Sequence, residues 1–417
     1  ELAALMPEGA KAGGRIRGKA ATQPVEADLM LDNVNFALSG GLGVDHLDGA
    51  VAYRDGALSC NALAVRDADS EFTLDLVSRN GIWSGALTGK RLNVNELLAI
   101  KDKLQTASLP SDASPAASAP SSSGFTGKFD VNMANVVFRK AQLGNVLTNV
   151  NALNGDVELA NLTLASHGGN AAGWVRLMQP RGERPASTSM SLKLEGIDLG
   201  IIDEIALEEP RGVKGQAWGQ VDMEIFTGEN IPVFSGANGA VQLRSKDGTF
   251  GKLGMATKVL SVLRTLEITR LRAPKLKDQG LSFDTCESQA TFNNGVMTLR
   301  SFAMTTPSYN ITAFGTIDFN RQDSEILVHV DLLETVLGAA DMVPGLDAVV
   351  GKLRTAGGLR ILLTGPPTDP QTNYGFGPKT DAITNEVRDT VKSTGNIVRD
   401  EIINRATDVL KDILNKN

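Results

Sequence analysis

One pattern of alternating apolar and polar residues occurs three times along the chain, at residues 47–76, 153–177 and 290–319. Each copy contains an apolar strand, a turn of Gly with Asp or Asn, a second apolar strand and a third strand. Asp-Gly and Asn-Gly pairs accept the positive φ angles that a tight hairpin needs. The repetition therefore predicts an array of antiparallel β meanders, and such arrays build long surfaces rather than single catalytic pockets.

Turn signals lie between many short apolar runs. Tight turns are predicted among the pairs Asp55-Gly56, Asn80-Gly81, Asn154-Gly155, Asp247-Gly248 and Asn294-Gly295. The intervening segments, such as residues 72–76 and 191–195, place apolar side chains on one face of a strand and polar side chains on the other.

Helical patterns are fewer and shorter. Residues 95–100 and 200–206 follow strands as short helical turns, and residues 253–266 carry apolar side chains at helical spacing. Residues 332–353 predict another helical stretch, which Pro344-Gly345 breaks.

Residues 107–124 consist almost entirely of Ala, Ser and Pro and predict a flexible linker. Near the end of the chain, apolar residues step by three or four from Ile383 to Ile413, which predicts an amphipathic helix. Two interpretations of this helix stay open. It packs back on the protein's own sheet, or it caps a groove, contacts a partner or lies on a membrane surface.

Composition excludes several classes of protein. The chain is 42% hydrophobic and 21% charged, so it can bury a core, and its net charge of -7 argues against a nucleic-acid partner. Cys60 and Cys286 are far apart, which favours two separate thiols over a long-range disulfide. No apolar run is long enough to span a bilayer. Because the chain begins at Glu1, we expect a fragment of a longer protein whose N-terminal anchor lies outside it.

Residue constellations for catalysis or metal binding are not found. His46, His167 and His329 lie too far apart in sequence to form a zinc motif. Residues 67–71 share acidic spacing with a calcium loop but lack its sixth-position glycine and distal glutamate. Nucleophile elbows, P-loops and dinucleotide fingerprints are absent. We therefore expect a protein that is not an enzyme and has no catalytic residue, metal or cofactor.

A long antiparallel sheet with one apolar face must cover that face. The sheet can pack on another sheet as a dry sandwich, or it can curl into a trough that holds an apolar ligand. The few predicted helices cannot cover so many strands. Both arrangements remain open from the pattern alone.

The order of elements across residues 236–370 resembles the C-terminal domain of the AsmA-like family of Gram-negative bacteria. The matching pieces are a strand ending in Asp-Gly, a helix, a Phe strand with an Asn-Gly hairpin, a Gly-containing strand and a closing strand that reaches Asp-Pro. They occupy residues 241–250, 252–263, 280–296, 309–318 and 358–370. Upstream, residues 87–98 and 194–205 resemble the repeats of the same family's body.

The resemblance implies a fold and a function. Members are similar to bridge-like lipid transfer proteins, with a periplasmic β groove and an inner-membrane anchor, which is absent from this chain. We therefore expect a mainly β fold whose repeated antiparallel meanders form an elongated, curved groove that carries phospholipid between the inner and outer membranes. A further candidate partner is an outer-membrane or periplasmic protein at the C-terminal end. The alternatives are a periplasmic scaffold for outer-membrane protein assembly and, less favoured at 5% aromatic content, a carbohydrate-active or adhesive solenoid.

The expected organisation has five segments. These are a first groove repeat (residues 1–106), the linker (107–124), a second groove repeat (125–235), the AsmA-like C-terminal domain (236–370) and the amphipathic C-terminal helix (371–417). Apolar residues chosen from the alternation are expected to line the groove. They are Phe72, Leu74, Leu76, Leu162, Leu164, Leu192, Leu194, Leu299, Ile311, Ile317, Phe319, Val328 and Val330.

Overall fold

The computed structural model describes residues 11–22, 25–37, 43–99, 126–166, 168–206, 212–228, 231–232, 234–251, 254–265, 281–332 and 347–377. The chain divides into a first compact unit, Glu1–Pro210, and a second, Arg211–Asn417. The expected fold class is confirmed, because the chain is mainly β, with an antiparallel meander sheet that is not closed into a barrel and few short helices. The finer five-segment organisation stays a prediction.

The first unit contains eleven of the strands. They are β1 (Lys11–Thr22), β2 (Val25–Ala37), β3 (Gly43–Arg54), β4 (Ala57–Arg66), β5 (Glu71–Arg79), β6 (Ile82–Asn93), β7 (Thr126–Phe138), β8 (Ala141–Leu153), β9 (Asp156–Ser166), β10 (Gly169–Met178) and β11 (Ala186–Asp198). Each strand pairs with the next along the chain. Residues 94–99 form a short helix, α1, and Leu199–Ala206 form α2.

One pair of strands in the first unit departs from the expected antiparallel order. β6 and β7 run parallel, with Leu87 opposite Val131 and Leu92 opposite Val136. Parallel neighbours need a long connection to return the chain to the same end of the sheet. That connection contains α1 and the predicted linker, residues 107–124, which lies outside the described residues. The linker therefore separates two strands of one sheet.

The described residues of the second unit form eight strands and two helices, and the paired strands are antiparallel. The elements are β12 (Lys214–Thr227), β13 (Asn238–Phe250), α3 (Gly254–Thr265), β14 (Leu281–Asn293), β15 (Val296–Thr305), β16 (Tyr309–Asp318), β17 (Asp323–Leu332), α4 (Asp347–Ala356), β18 (Leu359–Thr364) and β19 (Gln371–Phe376). Each strand from β12 to β19 pairs with the next, with β-bulges that shift the register in three of the pairs.

Most local sequence predictions are confirmed, with three differences. The prediction of a tight turn at Asp247-Gly248 is wrong, because both residues lie inside β13 and Asp247, at φ 50°, has no partner on β14. Within the predicted helical stretch at 332–353, Leu332 ends β17, residues 333–346 lie outside the described residues, and residues from Asp347 onward are helical. Residues 371–376, expected in the C-terminal helical segment, form β19, and the apolar series from Ile383 to Ile413 lies outside the described residues.

The two faces of the sheet differ in polarity in both units. Cross-strand ion pairs join neighbouring strands on the polar face, as between Arg54 and Asp28, between Arg176 and Glu158, and between Arg244 and Glu287. These pairs are exposed, so each contributes little stability. Arg176 lies directly opposite Glu158, and Arg244 lies directly opposite Glu287, which agrees with the observed register because like charges at such positions would destabilise the sheet.

Helices α3 and α4 cover the apolar face of the second unit. Val259, Val262 and Leu263 of α3 and Leu353 of α4 belong to the same buried cluster as the strand residues of β14 to β18. Val330, Leu359 and Ile361 are fully buried in this cluster. The second unit thus has a helix-on-sheet core, which is the common way to bury one face of an antiparallel sheet.

The carboxyl group of Glu325, on β17, provides a test of how far this side of the second unit's sheet is buried. Burial, with a smaller contribution from Asp323, raises the pKa of this carboxyl. The folded state therefore disfavours the charged form, and Glu325→Gln should raise the thermal unfolding midpoint at pH 7. The gain should shrink as the pH falls through the folded pKa towards the ordinary value of 4.5, because both states then hold the proton. Thermal unfolding measured between pH 4 and pH 8 checks this. Glu183→Gln, at an exposed hairpin tip, is the control, and a gain that stays constant with pH would contradict the assignment to burial.

Candidate apolar binding surface

The strands β4 to β11 present a continuous apolar surface on one side of the first unit, which we call the apolar face of the first unit. Its rows follow directly from the register. Leu74 lies opposite Leu63 on one side and Leu87 on the other, and Leu87 lies opposite Val131. The face comprises Cys60, Leu63, Val65, Phe72, Leu74, Leu76, Trp83, Leu87, Phe129, Val131, Met133, Val146, Val150, Leu159, Leu162, Leu164, Ala171, Val175, Met190, Leu192 and Leu194.

A β-bulge in the middle strand of each sequence copy keeps the apolar residues on this side. The apolar spacing there is three residues instead of two, at Cys60 and Leu63 in β4 and at Leu159 and Leu162 in β9. The same spacing occurs at Leu299 and Phe302 in β15 of the second unit. Because a bulge inserts one extra residue into a strand, it restores the inward direction after the alternation has shifted.

Acidic side chains on neighbouring strands support two of the bulges in the first unit. Ala62 and Asn33 adopt positive φ angles of 47° and 52°. Asp75 accepts a hydrogen bond from the Ala62 N–H at 2.7 Å, and Asp48 accepts one from the Asn33 N–H at 2.6 Å. Each carboxylate satisfies a backbone donor that the ladder has released.

Glycines beside the bulges let neighbouring strands approach closely. Gly173 lies opposite Leu162 with a φ of 151°, and a Cβ atom there would collide with the carbonyl oxygen of Ser191. Gly49 is in a similar position, because its Cβ would contact the backbone of Leu63. A side chain at either position would push the neighbouring strand away.

The centre of the apolar face is buried by side chains of the surrounding strands together with Val94 of α1. Met133 has no exposed surface, and Leu162 is 6% exposed. Phe72, Val175 and Leu192, from β5, β10 and β11, pack against the cluster that contains them. Among the described residues of the first unit, α1 and α2 are the helices, and both follow the ends of strands. Met133 and Leu162 are therefore enclosed by neighbouring side chains, while Leu74, Leu76, Leu164 and Leu192 stay half-buried.

The structure places the seven candidate lining residues of the first unit together on this face. Leu162 and Leu194 are buried and the other five are half-buried. They are Phe72, Leu74, Leu76, Leu162, Leu164, Leu192 and Leu194. Contact of these residues with lipid stays a prediction.

The six candidates of the second unit also share one face, but α3 and α4 lie over it. Ile311, Ile317, Val328 and Val330 are each at most 7% exposed, and Leu299 and Phe319 pack against the same cluster. In this conformation the four buried residues have almost no surface to offer a ligand. Their packing gives them a structural role in the second unit.

Sequence reasoning missed the residues of β6 to β8 on the same face. Leu87, Phe129, Val131 and Met133 occupy its middle, and the alternation of residues 129–133 was a signal for them. The Ala/Ser/Pro segment before β7 predicts a linker, which places these residues apart from the strands that precede it. The parallel pairing of β6 with β7 bridges that segment.

The chemistry of the apolar face suits an apolar ligand. The described residues of β4 to β11 contribute no charged side chain to it. Thr148 lies on this face, but its hydroxyl donates to the carbonyl oxygen of Ala160 at 2.9 Å, so it exposes no unsatisfied donor. The opposite face is hydrophilic and includes a shallow depression of about 380 Å³ lined in part by Asp130, Asn149 and Asn161.

The titratable groups near the candidate surface are unsuited to covalent chemistry. Burial raises the pKa of the Cys60 thiol, and burial together with Glu287 raises the pKa of Cys286 to about 12. Both thiols are free in the structure and remain protonated at neutral pH.

Within the described ranges, no group of three or more His, Cys, Asp or Glu residues could hold a metal ion, and His167 lies outside those ranges. Across the same ranges, no helix has the length and hydrophobicity to cross a membrane.

An open meander sheet with one continuous apolar face is the architecture of the AsmA-like class of bridge-like lipid transfer proteins. The family model described as YhdP protein matches residues 19–353, which is most of the chain. The chain therefore belongs to the YhdP family, and the resemblance seen in the sequence is confirmed. No curated protein and no solved structure matches the chain.

The bulge at Ala62 provides a test of how the apolar face is held in register. Asp75→Ala removes the acceptor of the Ala62 N–H and should destabilise the first unit by about 1 kcal/mol. Asp75→Asn keeps an oxygen acceptor and should recover most of this loss. Urea unfolding and amide exchange at Ala62 measure both effects, with Thr73→Ala on the same strand as the control. Equal loss in the Ala and Asn variants would show that the hydrogen bond does not support the bulge.

Proposed function

We propose that the chain carries phospholipid between the inner and outer membranes along the apolar face of the first unit, as part of a periplasmic, membrane-anchored lipid bridge. One observation supports this most directly. The face runs across eight strands, and most of its Leu, Phe and Val side chains stay half-buried, although Val94 of α1 packs against the cluster around Met133. An apolar surface of this extent marks a binding site rather than ordinary exposed protein surface.

The proposed mechanism is passive. Acyl chains lie against the apolar face, and the polar head group stays in water at the open side, because the face offers no charged partner to a phosphate. Each methylene that leaves water contributes about 0.8 kcal/mol, so a continuous apolar surface can replace much of the bilayer environment. Family membership supports lipid as the class of ligand.

The two units have different roles in this proposal, because helices cover the apolar face of the second unit. Burial of Ile311, Val328 and Val330 beneath α3 and α4 supports a structural role for that sheet in this conformation. The half-buried residues of β5 to β11 are then the ones that contact acyl chains. This assignment makes lipid contact a property that can be mapped residue by residue.

Photo-crosslinking in cells tests the proposal. A photoreactive residue at Leu74 or Leu87 should capture phospholipid, because both positions are central on the apolar face. The same probe at Thr73 or Thr88 on the polar face, one residue away, should not. At Val330, which is fully buried, capture should also be low. Mass spectrometry of the crosslinked adducts identifies the captured molecules.

The control positions decide between the outcomes. Equal capture at Leu87 and Thr88 would contradict a lipid-binding face. Recovery of outer-membrane proteins at the strand edges, with no lipid on the face, would instead support a scaffold for protein assembly.

A charged residue on the apolar face should block transport. Leu87→Asp places a carboxylate among apolar side chains, where it disfavours acyl chains and costs free energy unless it stays hydrated. We expect loss of bound phospholipid in native mass spectrometry and loss of complementation in a strain that lacks the protein.

Thr88→Asp is the matched control, because it adds the same charge to the polar face of the same strand. Circular dichroism shows whether each variant is folded. Retention of lipid by a folded Leu87→Asp variant would contradict the assignment of the site.

A further inference from the structure

Residues 234–238, which we call the Phe234 strap, connect to the start of β13 at the hairpin end of the second unit. They lie beside the β14–β15 hairpin, which turns at Asn294-Gly295, and the end of β16. The strap is close-packed, because a Cβ atom on Gly295 would lie 2.5 Å from the Gly236 nitrogen.

The ring of Phe234 closes the hairpin end of the apolar face. Its centroid lies 5.7 Å from that of Phe292 and 5.2 Å from that of Phe319, while Phe292 and Phe319 stack at 6.3 Å. Phe292 lies opposite Gly239 and Met297 on the apolar side of the sheet. The three rings therefore form an aromatic cluster beside the core that α3 and α4 cover.

Asn320 holds the strap in place through three hydrogen bonds. Its Oδ1 accepts from the Ser235 hydroxyl at 2.6 Å and from the Gly236 N–H at 3.1 Å. Its Nδ2 donates to the carbonyl oxygen of Asn294 at 2.7 Å. One exposed side chain thus ties the strap to the β14–β15 hairpin.

Backbone bonds complete this connection. The Gly295 N–H donates to the carbonyl oxygen of Ala237 at 2.9 Å, and the Phe319 N–H donates to that of Gly295 at 2.9 Å. The Asn294 N–H donates to Asn238 Oδ1 at 2.8 Å. The strap supplies the acceptors for the Asn294 and Gly295 donors, so these two hydrogen bonds should open together when the strap leaves.

Phe234 is held in an unfavourable conformation. Its φ angle is 66°, in the left-handed region that a bulky side chain rarely adopts. Such strain persists only where the surroundings enforce it, and it is concentrated at sites that switch or bind. Release of the strap would relieve the strain, which lowers the free energy needed to open it.

We propose that the Phe234 strap is a latch that closes the hairpin end of the second unit's apolar face and opens to admit an acyl chain beside Phe292 and Phe319. The latch rests on the proposed lipid function. In the closed state Phe234 occupies the space next to these rings, and in the open state an acyl chain replaces it. The aromatic cluster is then a conditional lipid site, distinct from the permanently open face of the first unit.

Asn320→Ala in the complete chain tests the latch without lipid. The variant removes the side chain that ties the strap down, and amide exchange at Asn294 and Gly295, whose acceptors lie in the strap, should become about tenfold faster. Asn373→Ala, an exposed asparagine on β19, is the matched control and should leave these amides unchanged. Unchanged exchange in Asn320→Ala would overturn the latch.

A photoreactive residue at Met297 tests the admission of lipid. Met297 pairs with Phe292 and Ile317, so it lies close to the aromatic cluster. Lipid capture at position 297 should rise several-fold in Asn320→Ala, whereas capture at Leu87 in the first unit should not change. Phe234→Asn should also raise capture, because asparagine tolerates positive φ but lacks the ring.

The two positions separate failure of the latch from failure of the proposed function. Lipid at Leu87 with none at Met297 in the opened variant overturns the latch alone. Absence of lipid at both positions overturns the proposed function and the admission of lipid with it, while amide exchange still reports whether the strap opens.

Discussion

Every strand of this protein must keep its apolar side chains on one side of a very long meander, and the rest of the structure depends on that constraint. A slip of one residue would reverse the faces of a strand. The bulges at residues 61–62 and 160–161 correct such slips where the sequence changes its alternation. Asp75 then supplies the acceptor that the released backbone donor of Ala62 requires. Polarity and backbone geometry are therefore fixed by the same few residues.

The two units cover their apolar faces in different ways. In the second unit, Leu263 of α3 and Leu353 of α4 bury Val330 and Ile361 completely. In the first unit, Met133 is buried by side chains of neighbouring strands and by Val94 of α1, and leucines such as Leu74 and Leu87 stay half-buried. Helices α3 and α4 already exclude water from the apolar face of the second unit. The half-buried face of the first unit still exposes apolar surface, so it retains a driving force for binding an apolar ligand. The difference explains why the lipid proposal rests on the first unit.

The sequence was sufficient to predict the strands and most hairpin turns, because period-two alternation is a local property, but alternation alone did not decide which side of a strand faces inward. It could not show that β6 and β7 pair, since that contact joins strands on either side of residues 107–124. It also could not show which strands α3 covers. Val259 and Leu263 mark an apolar helix side in the sequence, but the sheet residues they contact are set by tertiary packing.

A surface that transports lipid must bind it without holding it at one place. Leu63, Leu74, Leu87 and Val131 lie opposite one another on successive strands. Because these side chains are similar, they offer an acyl chain similar contacts at each strand. A buried polar group in such a row would create a barrier, because an approaching chain would desolvate it. Thr148 avoids this through its bond to the Ala160 carbonyl oxygen. Uniform chemistry along the face, rather than tight complementarity at one point, is therefore the property that favours movement over storage.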